Sequence, residues 1–320
     1  MKDNLIKVLI TAIGTVNGGT IISELKKYDK KIYIVGADIN DERNIVSSKF
    51  VDEYHKFPSA IDDQKKYLDF VYNFCRENKI DFVYAFIDEE VYNLSKNREL
   101  FESINTKLCL TDNNSVRLCH FKNLFFEWLN NNFNKYCIKT YNSYEETEFV
   151  TFPLFIKPVE GRASIGCKKI EQRSELLELK FSDYIVQDFV EGDIFVIDIV
   201  RNKKTKEMKY CQRKELLRNG NGCGTSVEIV DIPELKKMAI ELSEAIDFNG
   251  ILSIELFRTK NNEYKIIEIN PRLPAGTSYS CLAGCNTVVN MLHIQQDLPF
   301  VNENVRVGAK FARRYETYEM

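Results

Sequence analysis

Two apolar runs in the last quarter of the chain constrain the fold most. Ile251-Leu-Ser-Ile-Glu255-Leu-Phe is followed, across the polar turn Lys260-Asn261-Asn262, by Ile266-Ile-Glu268-Ile-Asn270-Pro-Arg272. Runs of large apolar residues this short, broken by a polar turn, predict an antiparallel hairpin with strands at 251–258 and 263–269. Strands so nearly apolar are buried on both faces, so the polar side chains that interrupt them need partners. Residues two apart on a strand share a face. Glu268 and Asn270 therefore project together, and Glu255 on the neighbouring strand can face them. Two carboxylates and an amide oxygen make a hard-oxygen set that suits Mg²⁺ sharing its shell with phosphate oxygens. Arg272 can hold a phosphate or a carboxylate through two parallel hydrogen bonds.

The N-terminal third reads differently. Ile6 to Ile10 is a short buried strand, followed by a glycine-containing turn (Gly14 to Gly19) and a helical stretch over 20–27. A second strand covers 31–37 and ends at Asp38. A helix is predicted over 63–78, with Leu68, Val71, Tyr72 and Cys75 on one face. A third strand spans 81–87 and is capped by Asp88-Glu89-Glu90. Strands alternating with helices imply a parallel sheet with crossover connections. Gly14-Thr-Val-Asn-Gly18-Gly19 followed by Asp38 is Rossmann-like, which raises a nicotinamide-dependent oxidoreductase as a rival. The middle glycine of that fingerprint is Val16 here, so the pattern is incomplete.

Between these regions, one helix is predicted over 115–132 and strands over 149–158, 167–170, 184–190 and 194–200, with a further helix over 232–246. Lys157 ends a strand, and the loop after it, Glu160-Gly-Arg-Ala-Ser-Ile-Gly166, is rich in small residues whose backbone N–H groups can approach an anion. Gly161 and Gly166 have Walker A spacing, but Cys167 stands where lysine is required and a strand follows, so a P-loop is ruled out. Ile185 to Asp193 resembles a strand crossing between two lobes, able to offer backbone groups to an adenine edge.

The sequence has 320 residues and a net charge of −3, with no basic stripe carrying interleaved aromatics, so no nucleic-acid partner is expected. Nine cysteines without a C-x-x-C pair predict reduced thiols, and three scattered histidines argue against a zinc site. No apolar run approaches the about 18 residues of a membrane span, so a cytoplasmic protein without membrane contact is expected.

Taken in order, these elements resemble the ATP-grasp superfamily, in its carbamoyl-phosphate-synthase-like and amino-acid-ligase branches. The resemblance covers nearly the whole chain, and its most specific part is Glu-Ile-Asn-Pro-Arg at 268–272 with an acid 13 positions earlier. It implies an α/β and α+β architecture: a Rossmann-like pre-ATP-grasp domain (1–112), a small ATP-grasp lobe with a phosphate-covering loop (113–186) and a C-terminal lobe with the metal site (187–320). It further implies that Lys122 and Lys157 contact ATP phosphates, with Gly161, Ser164 and Gly166 in the covering loop. Gln187, Asp188, Phe189 and Val190 would line the adenine site. Many relatives bind the ribose through Glu two residues after the hinge glycine; Ile194 stands there, leaving Asp193 or Asp198 as substitutes. Glu255, Glu268 and Asn270 would hold Mg²⁺, or Mn²⁺ in its place. Arg213 would reach the phosphates, and Arg272, with the loop Pro274 to Tyr279, the reacting carboxylate. The implied activity joins a small-molecule carboxylate to an amine at the expense of ATP, in a chain that is often a homodimer in relatives. The alternatives on the same fold are a single-unit carbamoyl-phosphate-forming enzyme and a non-catalytic nucleotide sensor.

Overall fold

The structure, a computed structural model, describes residues 5–161, 165–301 and 303–320. The first unit alternates β1 (Ile6–Ile10), α1 (Gly18–Tyr28), β2 (Ile32–Asp38), β3 (Glu53–Lys56), α2 (Gln64–Asn78), β4 (Phe82–Tyr84), α3 (Asp88–Lys96), α4 (Arg98–Glu102) and β5 (Lys107–Leu108). Its five strands are parallel, in the order β3-β2-β1-β4-β5. Asp88-Glu89-Glu90 is not a cap on a strand reaching Ile87. These residues open α3, where acidic side chains in the first turn complement the positive end of the helix.

The expected single helix over 115–132 is two: α5 (Asn113–His120) and α6 (Lys122–Phe133). The break falls at Phe121, which is extended (φ −91°, ψ 106°) and sets Lys122 at the start of α6. A four-stranded sheet follows, ordered β6-β9-β7-β8, from β6 (Thr140–Tyr141), β7 (Leu154–Pro158), β8 (Lys168–Ile170) and β9 (Tyr184–Asp188). The strand expected from 149 begins only at Leu154. Pro153 has no N–H to give a ladder, and Phe149 is almost wholly exposed.

The largest sheet contains β10 (Asp193–Arg201), β11 (Met208–Arg218) and β12 (Gly224–Val230), then, after α7 (Pro233–Ile246), β13 (Gly250–Arg258) and β14 (Tyr264–Asn270). The helices α8 (Thr277–Leu282) and α9 (Thr287–Gln296) and the short strand β15 (Lys310–Ala312) complete the chain. The order is β14-β13-β10-β11-β12-β15, antiparallel throughout. Odd-numbered β10 residues (Phe195, Ile197, Ile199) pack with α7 residues Leu235, Met238 and Leu242 in one core. The opposite face, carrying Val196 and Asp198, is left for the site.

A second core joins the first unit to the last. Ile10, Ile21 and Ile34 share one cluster with Val200, Ile251, Val288 and Met291. This apolar seam is reinforced by Tyr84 OH donating to the Val288 carbonyl at 2.9 Å and Asn17 Nδ2 donating to the Leu273 carbonyl at 3.0 Å. It fixes the start of α3 against the loop after β14, so Asp88 and Arg272, 184 apart in sequence, can meet. Among the described residues no helix is long and apolar enough to cross a membrane.

Candidate active site

A cavity of about 480 Å³ lies between the four-stranded and six-stranded sheets. Its charged wall is the predicted hairpin. Glu255 on β13 and Glu268 on β14 are direct partners across the ladder, beside a register irregularity at Glu255/Leu256. Like charges so placed repel. Burial, then the Glu268 charge, pushes the Glu255 carboxyl up to about 7. Asn270 Nδ2 donates to Glu268 Oε1 at 2.9 Å, so the expected three side chains come together. Lys157, at the end of β7, donates to the Ile267 carbonyl at 3.0 Å and lies over the Phe126 ring. Burial pulls its ammonium down to about 8, partly offset by Glu268. Among the described residues no group of three or more His, Cys, Asp or Glu is placed to hold a metal. The donor set is two carboxylates and an amide, which suits a hard cation that completes its shell with non-protein oxygens.

The two arginines are both held. Arg213 on β11 is buried, with Nη1 donating to Asp198 Oδ2 at 2.5 Å and to Ser280 Oγ at 3.4 Å. Gly276 makes room for it, since a Cβ there would lie 2.3 Å from Arg213 Nη2. Arg272 meets Asp88 of α3 through two parallel hydrogen bonds, Nε to Oδ1 at 2.6 Å and Nη2 to Oδ2 at 3.0 Å. Burial is the largest influence on Asp88 and raises its carboxyl, but the Arg272 charge and hydrogen bonds, with the His120 and Lys122 charges, together hold it below its ordinary range.

The expected ribose substitutes do not reach the cavity. Asp198 is fully buried and its oxygens accept from Arg213, Ser253 and Ser280. Asp193 is an odd-numbered β10 residue on the face away from Val196, and it pairs with Lys214 at 2.6 Å.

The other end of the cavity is apolar. Ile138, Phe155, Phe189, Val190, Phe257 and Ile267 line it together with Gln187 and Asp188. Asp188 Oδ1 accepts from Tyr141 OH at 2.7 Å, and Gln187 Nε2 donates to Thr140 Oγ1 at 3.0 Å. Lys122 Nζ donates to the Gly161 carbonyl at 3.0 Å, and His120 Nε2 lies 3.3 Å from Glu160 Oε2, so both bases hold the loop. Gly161 (φ +146°) and Gly166 (φ +76°) take backbone conformations that favour glycine; Ser164 lies outside the described residues. A larger cavity of about 880 Å³ lies beside the hinge, lined by Asn123, Asn130, Lys139 and Lys265 among others. Its lining contains none of Glu255, Glu268 and Asn270.

The Rossmann-like turn is closed on itself. Asp38 Oδ2 accepts the Gly14 N–H at 2.8 Å, and a Cβ on Gly14 would also meet Ile45 at 2.6 Å. The donor that a pyrophosphate would use is taken by the chain's own carboxylate.

Comparisons with known proteins agree with this geometry. Residues 8–109 match the family model for the PylC-like N-terminal domain, and residues 180–317 match the model described as ATP-grasp in the biosynthetic pathway with Ter operon. The chain is an ATP-grasp ligase. It is 23% identical over 244 residues to the tyramine–L-glutamate ligase of Methanocaldococcus fervens, covering 74% of this chain and 75% of that protein. It is 28% identical over 158 residues to the D-alanine–D-alanine ligase of Halothermothrix orenii, covering 42% of this chain and 45% of the relative, less than half its length. The fold is shared with the biotin carboxylase domain of Hydrogenobacter thermophilus 2-oxoglutarate carboxylase, at a TM-score of 0.77 and 14% identity, over 95% of the ligase and 73% of that chain.

Among the charged residues that line the cavity, Glu215 and Arg218 escape the sequence reading altogether. Both lie on β11, whose run Met208–Arg218 is mostly polar. Once Arg213 is known to face the cavity, strand alternation would have pointed to Glu215.

Proposed function

We propose that this ligase joins a carboxylate to an amine through an acyl phosphate, releasing ADP and phosphate. The observation that carries the reading is the like-charge pair Glu255–Glu268 with Asn270, facing Lys157 in a cavity whose far end is apolar. Two carboxylates opposed in this way hold a cation better than they hold each other. In this reading Ile138, Phe155, Phe189 and Val190 receive the adenine, with backbone groups of Asp188 and Val190 along its edge. Gln187 Oε1, buried and without a hydrogen-bond donor among the described residues, accepts from the base. Lys157 and Lys122 bear on the phosphates, and Lys122 couples that contact to the loop that covers them.

Glu255, Glu268 and Asn270 would hold Mg²⁺, as a related fold was solved with magnesium ADP, and the same oxygens accept Mn²⁺. Bound there, the ion would draw charge from the β- and γ-phosphates. The substrate carboxylate attacks the γ-phosphorus in line and ADP leaves. Arg272, oriented by Asp88, positions the carboxylate, and Arg213 faces the oxyanion that develops when the amine nitrogen attacks the acyl carbon. The C–O bond to phosphate then breaks. Closure of the loop over the phosphates would keep water from the anhydride.

Hydroxylamine trapping tests this. With ATP, Mg²⁺ and pooled L-amino acids, the wild-type protein yields hydroxamates and stoichiometric ADP. Glu268→Gln lowers the yield by about two orders of magnitude or more, the scale of a lost electrostatic contact at a reacting centre. Unchanged yield from Glu268→Gln would refute the metal assignment.

A further inference from the structure

The floor of the cavity carries a second, unassigned constellation. Arg213 and Glu215 share one face of β11 in a regular stretch of the ladder, where they pair with Ile229 and Val227. Both line the cavity. The Glu215 side chain is 6% exposed and lies under Gly224, where a Cβ would come within 2.5 Å of Glu215 Oε1. Gly276 accommodates Arg213 in the same manner. Two long charged side chains are thus laid flat beneath glycine backbone, which fixes where their charged ends point.

Each has one buried polar atom without a hydrogen bond among the described residues. Among the described residues Glu215 Oε2 receives no hydrogen bond, and Arg213 Nε donates none, although both are buried. Arg218 Nε lies 2.8 Å from Glu215 Oε2 as an ion contact without hydrogen-bond alignment, while Arg218 Nη2 donates to Glu255 Oε1 at 2.5 Å. An unsatisfied buried carboxylate oxygen is costly. Glu215 lines the same cavity as Glu255, and Arg218 contacts both carboxylates. Burial raises the Glu215 carboxyl above its ordinary range against the pull of Arg213 and Arg218.

We propose that Glu215 is the acceptor-amine residue: its carboxylate receives an N–H of a primary ammonium substrate, selects for a cationic amine, and takes the first of the two protons that the nitrogen must lose. This rests on the acyl-phosphate reading. The ammonium gives one proton to Glu215, and the freed lone pair forms the C–N bond to the acyl carbon. The acyl C–O bond breaks with its electron pair leaving on phosphate, and the departing phosphate takes the second N–H proton. The buried Arg213 Nε–H, two residues away on the same face, offers a donor to a carboxylate on that amine, so a zwitterionic amino acid satisfies both orphaned atoms at once.

The test compares two nucleophiles on one activated acyl group. Hydroxylamine is largely uncharged at neutral pH and needs no carboxylate to receive it; amino acids and alkylamines arrive as ammonium ions. Wild type and Glu215→Gln are assayed with ATP, Mg²⁺ and pooled L-amino acids, once with hydroxylamine and once with pooled primary alkylamines. Glu215→Gln is expected to keep hydroxamate formation while kcat/KM for the ammonium acceptor falls by about 10²–10⁴, the usual worth of a general base. Glu215→Asp is expected to recover part of the loss. Full amide formation by Glu215→Gln overturns the proposal, as does loss of both products, which would tie Glu215 to the carboxylate substrate or to the scaffold. Hydroxamate from neither protein would instead sink the acyl-phosphate reading.

Discussion

Glu90 sits in the first turn of α3, 6% exposed, away from the metal-type carboxylates. Its oxygens accept from Thr11 Oγ1 at 2.7 Å and Tyr67 OH at 2.9 Å. Burial, only partly offset by those bonds, raises its carboxyl from 4.5 to about 7. The native state therefore holds a proton here between those two values that the unfolded chain has released. The stabilising proton is fully present below about pH 4.5 and lost as pH rises through about 7. At about 1.4 kcal/mol per unit the shift is worth roughly 3 kcal/mol. Glu90→Gln mimics the protonated side chain. Its amide still accepts one hydroxyl hydrogen, and the other hydroxyl can turn to accept from the amide N–H. The variant is expected to match wild type near pH 4.5 and to exceed it at pH 8 by about 1–3 kcal/mol, the upper end being the full linkage value. Urea unfolding followed by circular dichroism at both pH values reads the difference. Because wild type and variant share every other titrating group, including Glu255, the comparison isolates Glu90. A Glu90→Gln protein less stable than wild type at pH 8 by as much as at pH 4.5 would refute the argument.

Two further outcomes follow from the cavity. Lys157, pulled down to about 8, is charged below that pH and neutral above it. ATP binding at pH 8 is therefore expected to take up protons, seen by calorimetry in buffers of different ionisation enthalpy. The uptake should vanish at pH 6.5 and in Lys157→Met; buffer-independent heats at pH 8 would contradict it. Asp88→Asn leaves Arg272 without its counter-charge, a loss that costs about 3–5 kcal/mol for a buried pair. The double variant with Arg272→Met should recover much of the melting temperature, whereas strictly additive effects would mean the two side chains are not coupled.

The sequence was most legible where chemistry and strand periodicity coincide. Glu255, Glu268 and Asn270 come together because the 2-residue period and the short polar turn fix both face and register. Lys157 was placed by ending an apolar strand. β11 and β12 were not legible. Their alternation is weak because β11 trades apolar residues for Arg213, Lys214, Glu215 and Arg218, and Glu215 was lost with it. Arg272 was recognised as a bidentate group, but the partner seen here, Asp88, depends on the apolar seam between the first and last units. No local pattern encodes a contact across 184 residues. The engagement of Asp198 was not legible either: three donors from distant parts of the chain hold its oxygens.

The most direct test of the central claim is ADP release with Mg²⁺ and ATP against pooled amino acids, small carboxylic acids and bicarbonate, with all products weighed by mass spectrometry. The account predicts ADP formation that depends on a carboxylate and an amine together, with an adduct lighter than its two parents by one water. ADP formation driven by bicarbonate and ammonia with carbamoyl phosphate as product, or tight ATP binding without turnover in any pool, would contradict it.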